Sequence, residues 1–391
     1  MSIRRVAVTG VGVVAPCGIG ADAFFEGLCS PAPVGTRRVS GFEPGDHFDN
    51  PKDARRADPF TQFAVAAAAE ALAQAGEITA DPNRCGTYVG TGVGGIMTLE
   101  DQIELRLDKG ERRVSPFLVP MMMANAAAAT LSMKYGWQGP SENVVTACAA
   151  GTHAVGNAAR MIAYGRCDAV LAGGSEAPCT VTATAGFSNM TALSKSGISR
   201  PFDRERDGLV MCEGAAILVL EDWDTAEGRG ATILAEILGS ASTADAHHIT
   251  APSPGGSGAV HCIQLALDEA GLQPSDIVHV NAHGTSTDLN DAAEAEALDK
   301  VFGTSPGPKV TSTKGVTGHA LGAAGALEAA AVVLSMQKRL IPHTVGLSEP
   351  DPEIPPLDFV MGEPVEWEPG PSISNSFGFG GHNGTLVIAP A

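Results

Sequence analysis

The chain has 391 residues, of which 44% are hydrophobic and 18% charged, and its formal net charge is −19. That length can bury a core spanning two domain-sized units, while an aromatic content of 5% and scattered basic residues exclude the stacking, positively charged face of a nucleic-acid binder. The eight cysteines form neither a C-x-x-C pair nor a zinc-finger spacing, and they read as reduced thiols of a cytoplasmic protein.

In the opening Met1–Cys17, two arginines precede an apolar run in the manner of a signal peptide. Gly10, Gly12 and Pro16 break that run, so a first buried strand over Ile3–Val8 is expected instead. Gly10-Val-Gly-Val-Val-Ala15 and Gly90-Thr-Gly-Val-Gly-Gly95 each follow a strand and look like dinucleotide fingerprints. Neither has the acidic residue about 20 positions on that a ribose requires, so these glycines are expected to serve tight packing. From Asn143 to Arg160 a β-branched stretch gives way to a small-residue helix. Cys148 stands at the junction, where unpaired N–H groups and the helix dipole favour a thiolate. Gly173-Gly-Ser-Glu-Ala177 nearly spells a hydrolase elbow but lacks the last glycine.

Glu227-Gly-Arg-Gly230 marks a turn, after which a second strand is expected over Ala231–Leu238. Ser253–Gly258 reads as a flexible loop. His279 and His283 mimic a zinc H-x-x-x-H, but on a strand residues four apart lie about 13 Å distant, and His247-His248 is no stronger; no metal site is expected. Lys309–His319 forms a strand and turn before the helix Ala320–Met336, whose Ala/Gly content and internal Glu328 mark a buried helix rather than a membrane span. Pro350–Pro371 is a Pro-rich surface connection.

Several stretches pair off between the two ends of the chain. The strand at Ile3 matches that at Ala231, Cys85–Gly94 matches His279–Thr287, and the Cys148 turn and helix match Lys309–Met336. Gly208–Leu220 likewise matches Ser374–Ile388. A duplicated α/β architecture follows, with residues 1–230 and 231–391 as halves, each ending in a hairpin, and with small-residue helices sandwiched between sheets in a five-layer αβαβα stack. Loops at the carboxyl ends of parallel strands converge on one crevice, which would bring Cys148 together with His283, Lys314 and His319.

Thr146-Ala-Cys-Ala-Ala-Gly, Asn281-Ala-His-Gly-Thr-Ser-Thr, Ser312-Thr-Lys-Gly-Val-Thr-Gly-His and Asn375-Ser-Phe-Gly-Phe-Gly-Gly-His-Asn resemble the β-ketoacyl-acyl-carrier-protein synthases of the type I/II elongating branch, and the resemblance covers essentially the whole chain. It implies the thiolase fold and a decarboxylative Claisen condensation of an acyl thioester with malonyl-carrier protein. In that reading Cys148 is the acylated nucleophile, and His283 and His319 polarise the malonyl thioester carbonyl. Lys314 supplies charge, balanced by Glu294 with Asp291 nearby, and the amides of Cys148 and Phe379 form the oxyanion hole, with the Phe379 side chain gating the acyl tunnel.

Thr285 and Thr287 would bind the phosphopantetheine arm, Thr250 and His248 would stand at the tunnel mouth, and Leu99 and Met122 would line the acyl pocket. Arg55, Arg56, Lys195 and Arg200 are the docking cations for an acidic acyl-carrier protein. No cofactor is expected beyond the phosphopantetheine that carries the substrates. The implied partner is acyl-carrier protein, in a homodimer or in a heterodimer with a homologous subunit, the latter being the arrangement of a type II polyketide ketosynthase. Against the family pattern the chain is shorter between Leu28 and Ala54 and after Leu193, and Cys212 stands where glycine is common. A noncatalytic subunit is disfavoured by Cys148 with both histidines, and His319 in place of asparagine favours carrier-protein over acyl-CoA substrates.

Overall fold

A computed structural model describes residues 3–303 and 307–391. Ten strands carry the fold. In the first half of the chain they are β1 (Val6–Ala15), β2 (Cys85–Gly90), β3 (Ser141–Val144), β4 (Ala169–Glu176) and β5 (Gly214–Asp222). In the second they are β6 (Ala235–Ala244), β7 (His279–Asn281), β8 (Lys309–Thr311), β9 (Ser372–Gly378) and β10 (His382–Pro390). The spatial order is β3-β2-β4-β5-β1 followed by β6-β10-β9-β7-β8, so the second set repeats the first, read from the opposite end. The sets meet where β1 and β6 pair antiparallel through Ala7 with Glu236 and Val8 with Ala235.

Helices complete the layers. The helix α1 (Pro59–Ala75) is capped by Asp58, whose carboxylate accepts the Phe60 amide at 3.1 Å, and packs on the outer face of the first set. Two central helices, α2 (Ala150–Ala163) and, later in the chain, Ala324–Lys338, touch both sets and each other, while α3 (Ser257–Ala270) covers the outer face of the second with α4 (Asp288–Phe302) beside it; the Ala324–Lys338 helix is α5. The expected five-layer order is therefore present. Small residues are what let the central helices meet: a Cβ on Gly151 would stand 2.7 Å from the Ala326 amide nitrogen. Nearly every residue of α5 is buried, Glu328 included.

Several expected boundaries move. The first strand runs Val6–Ala15 rather than Ile3–Val8, because Gly10 and Gly12 do not break it; side chains there would strike the carbonyls of Ala71 and Ala67 on α1. The strand expected at Ala231–Leu238 runs Ala235–Ala244. Ser253–Gly258 is a short 3-10 turn leading into α3 rather than a loose loop. In the first half the hairpin partner of β5 is β4, with residues 177–213 between them, whereas β9 and β10 join directly. The Pro350–Pro371 connection contains a short strand, Val365–Glu366, paired with Leu340–Ile341.

Candidate active site

Cys148 lies in a one-turn 3-10 segment between β3 and α2, preceded by Ala147 at φ 50°, a left-handed conformation that turns the chain sharply and presents the thiol. The Phe379 amide, in the turn between β9 and β10, stands beside the Cys148 thiol and favours its ionised form. Gly378 is held against the same turn, where a Cβ would stand 3.0 Å from the Cys148 amide nitrogen. Two backbone N–H groups thus flank the sulfur.

His283 follows β7 and its loop is clamped from α4. Glu294 accepts the amides of His283 and Gly284 at 2.8 and 2.7 Å, and Asp291 accepts those of Thr285 and Ser286 at 2.9 and 3.1 Å. Both acids are buried and satisfied by backbone. This corrects the expected role of Glu294: it holds the His283 loop, and the carboxylate paired with Lys314 is Glu328 of α5. Glu328 was missed as a site residue, though a lone acid within a long apolar helix is itself a signal of buried pairing.

The Lys314 ammonium donates to Nδ1 of His283 at 3.1 Å and to the carbonyl oxygen of the same residue at 2.6 Å. Nδ1 of His319 accepts the Leu321 amide at 3.2 Å. Each imidazole therefore has its Nδ1 lone pair occupied from outside, which leaves the proton of the neutral ring on Nε2. Burial holds both rings well below the ordinary histidine range, with Lys314 adding to the effect, so both are neutral donors.

Burial also raises the carboxyls of Glu294 and Glu328, against the pull of the Lys314 charge. The Cys148 thiol departs from expectation. Burial pushes it up to about 11, with Lys314 and the Phe379 amide pulling only part of the way back. Desolvation of this buried sulfur at the cavity wall outweighs both.

One donor atom from each of Cys148, His283 and His319 lies within 4.8 Å of the others. That spacing suits a metal ion as well as a reacting thioester, but a cation there would face the Lys314 ammonium on the far side of His283. The three groups open into a cavity of about 560 Å³ whose wall includes Phe187, Met190, Leu209, Leu289, Phe377 and Phe379. The rings of Phe187 and Phe379 stack at 6.4 Å across it.

Thr285, Thr287 and Thr250 also form cavity wall, and the hydroxyls of the first two are 2.8 Å apart. His248 is outside the wall: its Nδ1 accepts the amides of Thr250 and Ala251, both at 3.1 Å, so it shapes the loop instead of facing the cavity. Leu99 and Met122 are not in the wall either. They sit half-buried on Ile96–Lys109 and Leu118–Met122, helices whose outer side exposes Leu107 and Val119. Of the cations expected to dock a carrier protein, Arg55, Arg56 and Lys195 are exposed; Arg56 pairs with Asp53 at 3.4 Å and Arg200 with Glu205 at 2.8 Å.

The dinucleotide-like loop at Gly90–Gly95 has a different use. Its amides at Gly92 and Val93 and the Thr91 hydroxyl donate to the buried carboxylate of Glu176, which also accepts the Gly322 amide at 2.9 Å. A side chain already occupies the place an incoming phosphate would need, and the same Glu176 belongs to the stretch that resembled a hydrolase elbow.

Family models match over most of the chain: beta-ketoacyl synthase, N-terminal domain, over residues 34–226, and the C-terminal domain over residues 234–348. The 3-oxoacyl-[acyl-carrier-protein] synthase 2 of Synechocystis sp. is 42% identical over 98% of both chains, and that of Staphylococcus aureus strain COL 43% identical over 98% of both. Among solved structures, the ishigamide ketosynthase/chain length factor aligns with a TM-score of 0.93 at 34% identity over 100% of each chain. With a Cys/His/His centre, a duplicated five-layer thiolase fold and relatives matched end to end, the chain belongs to the beta-ketoacyl synthase family.

Proposed function

We propose that this chain catalyses the decarboxylative condensation of an acyl thioester with malonyl-acyl-carrier protein, giving β-ketoacyl-carrier protein, CO2 and free carrier protein. The observation that carries the reading is the pairing of one enclosed thiol with two imidazoles whose Nε2–H groups are fixed by partners on Nδ1. In the first step the acyl–pantetheine C–S bond breaks as the bond to Cys148 Sγ forms, and the thiol proton leaves on the pantetheine sulfur. The amides of Cys148 and Phe379 receive the oxyanion, each such donor contributing roughly 3 kcal/mol in the transition state. In the second step, the malonyl C–C bond to CO2 breaks and its electron pair forms an enolate, stabilised at oxygen by His283 and His319. The enolate carbon attacks the acyl thioester, and Cys148 leaves as thiolate.

Lys314 fixes the His283 tautomer, Glu328 balances its charge, and Thr285 and Thr287 hold the phosphopantetheine arm; no other cofactor takes part. The repeated strand order supports a division into residues 1–230, which carry the nucleophile, and 231–391, which carry the histidines, the lysine and the Phe379 turn. Among the described residues no helix is long and apolar enough to cross a membrane, and we place the reaction in the cytoplasm.

A dimer is the working form. The edge strand β3 has a neighbour on one side only, and Leu107, Val119 and Met133 are exposed to 73%, 57% and 75% in the same half of the chain. The second reading, a polyketide ketosynthase paired with a homologous subunit, is favoured by the likeness to a ketosynthase/chain length factor structure. Intact-protein mass spectrometry of the chain purified alone, given acyl- and then malonyl-carrier protein, separates the two. Acylation at Cys148 followed by a β-ketoacyl product identifies a self-sufficient synthase. Product only after a homologous subunit is added identifies the heterodimer, and no acylation in either case removes the proposal.

A further inference from the structure

Arg37 stands outside the cavity wall and 2% exposed. Its amide donates to the Met211 carbonyl at 2.9 Å, and its carbonyl accepts the Glu213 amide at 3.3 Å. On the other side of that segment, the Cys212 amide donates to the His319 carbonyl at 3.0 Å and the His319 amide to the Val210 carbonyl at 2.7 Å. These bonds make a small parallel ribbon of three segments, with Arg37 on one edge and His319 on the other.

The guanidinium then reaches across the ribbon. Nη1 donates to the Val316 carbonyl and, at 3.4 Å, to that of Lys314, while Nη2 reaches the Pro33 carbonyl at 3.4 Å. The first two carbonyls belong to the one-turn helix Lys314–Thr317: that of Lys314 also accepts the Gly318 amide at 3.1 Å, whereas Arg37 is the donor to that of Val316. The Lys314–His319 loop is therefore held twice, along its backbone by the ribbon and at its carbonyls by a buried cation.

Two features make this more than packing. Among the described residues Arg37 makes no ion pair, and Nε has no hydrogen-bond partner. The groups beside it that would carry opposite charge are the thiols of Cys17 and Cys212, both raised by burial. A buried guanidinium satisfied mainly by carbonyls is costly, so its contacts are where that cost is offset. There is also no slack: at Gly318, with φ 75°, a Cβ would stand 2.9 Å from the Val210 carbonyl oxygen and 3.4 Å from Cδ of Arg37.

We infer that Arg37 is a positioning residue, acting through the Val316 and Lys314 carbonyls and the Val210–Cys212 segment to set where the His319 Nε2–H and the Lys314 ammonium stand. It touches no substrate. The inference rests on the condensing function proposed above, and it assigns Arg37 to the malonyl half-reaction, which uses the two histidines, leaving acylation of Cys148 largely independent of it.

The test compares wild type, Arg37→Lys and Arg37→Met in three measurements: acylation of Cys148 by intact mass, decarboxylation of malonyl-carrier protein, and hydrogen exchange over residues 314–320 against the β4 and β5 strands. A displacement of about 1 Å at a reacting group costs on the order of 100-fold. For Arg37→Met the expected result is that size of loss in kcat for decarboxylation, with KM and acylation little changed, and faster exchange confined to 314–320. Arg37→Lys, which keeps the charge and part of the donation, recovers part of the rate.

A folded Arg37→Met that decarboxylates and exchanges like wild type overturns the inference, as does a parallel fall in acylation and decarboxylation. If Arg37→Met does not fold, a wild-type rate and exchange pattern in Arg37→Lys overturns it equally. Wild type that neither acylates nor decarboxylates sinks the proposed function instead, and the exchange measurement still decides the brace.

Discussion

The rings of His283 and His319 meet edge to face, with centroids 5.3 Å apart and planes at 85°. Two imidazoles with their Nδ1 atoms engaged behind them converge on one small volume beside the Cys148 sulfur. A single carbonyl oxygen entering that volume is met from two directions, which is what a developing enolate requires.

Separable losses are expected from this arrangement. Cys148→Ala abolishes acylation, measured by intact mass, and leaves malonyl decarboxylation measurable. His283→Ala or His319→Ala lowers decarboxylation by about 100- to 1000-fold, the loss typical of one preorganised donor, while Cys148 is still acylated. Equal residual activities in all three variants contradict the assigned roles.

The Lys314–Glu328 pair is buried at 1% and 2% exposure, so removing one partner strands the other's charge. Glu328→Gln is expected to destabilise the fold by about 3 to 5 kcal/mol in denaturant titration. Glu328→Met combined with Lys314→Met recovers most of that stability without recovering decarboxylation, because the Nδ1 partner of His283 is gone. A double variant as unstable as Glu328→Gln shows that the pair is not what burial penalises.

The thiol predicts a pH signature. Below its value of about 11 the neutral form predominates, so alkylation of Cys148 by iodoacetamide should rise about tenfold per pH unit through neutrality and level off only near that value. Lys314→Met removes a charge that favours the thiolate and slows alkylation at every pH below the plateau. A plateau near pH 7 in wild type would mean that the sulfur is ionised at rest.

Phe379→Ala keeps the amide beside Cys148 but removes the ring stacked on Phe187. Acylation by long-chain carrier proteins should become faster relative to short chains, with the short-chain rate within a few-fold of wild type. A uniform collapse across chain lengths would make the ring part of the oxyanion support and not a gate.

Charge reversal at Arg55 and Lys195, the two exposed docking candidates that make no ion pair among the described residues, should raise KM for carrier protein at low salt and leave kcat unchanged. An unchanged KM places the docking surface elsewhere.

Cys148, His283, Lys314 and His319 were legible in the sequence because each sits in a short, chemically unusual turn at the end of a strand, and a duplicated plan says those ends converge. Glu294 and Glu328 could not be ranked that way. Both are acids on helices that follow the histidine or lysine turn, and only the packing of α5 between the sheets decides which one reaches Lys314. Burial was equally hidden: a helix terminus is visible in a sequence, whereas the burial that raises the Cys148 thiol depends on residues hundreds of positions away. The first strand was cut short because Gly10 and Gly12 look like breakers until α1 is known to lie against them. Leu99 and Met122 were assigned to the pocket by pattern, and the cavity wall runs elsewhere.

The thiol and the Phe379 amide beside it come from distant parts of the chain, since Cys148 lies in the first half and Phe379 in the turn of the final hairpin. During synthesis the sulfur emerges before its imidazole partners, and the last hairpin to be made carries the Phe379 amide. A chain that stops short of β9 and β10 therefore has the cysteine with only one of the two proposed oxyanion donors, and the site is complete only when β10 lies between β6 and β9.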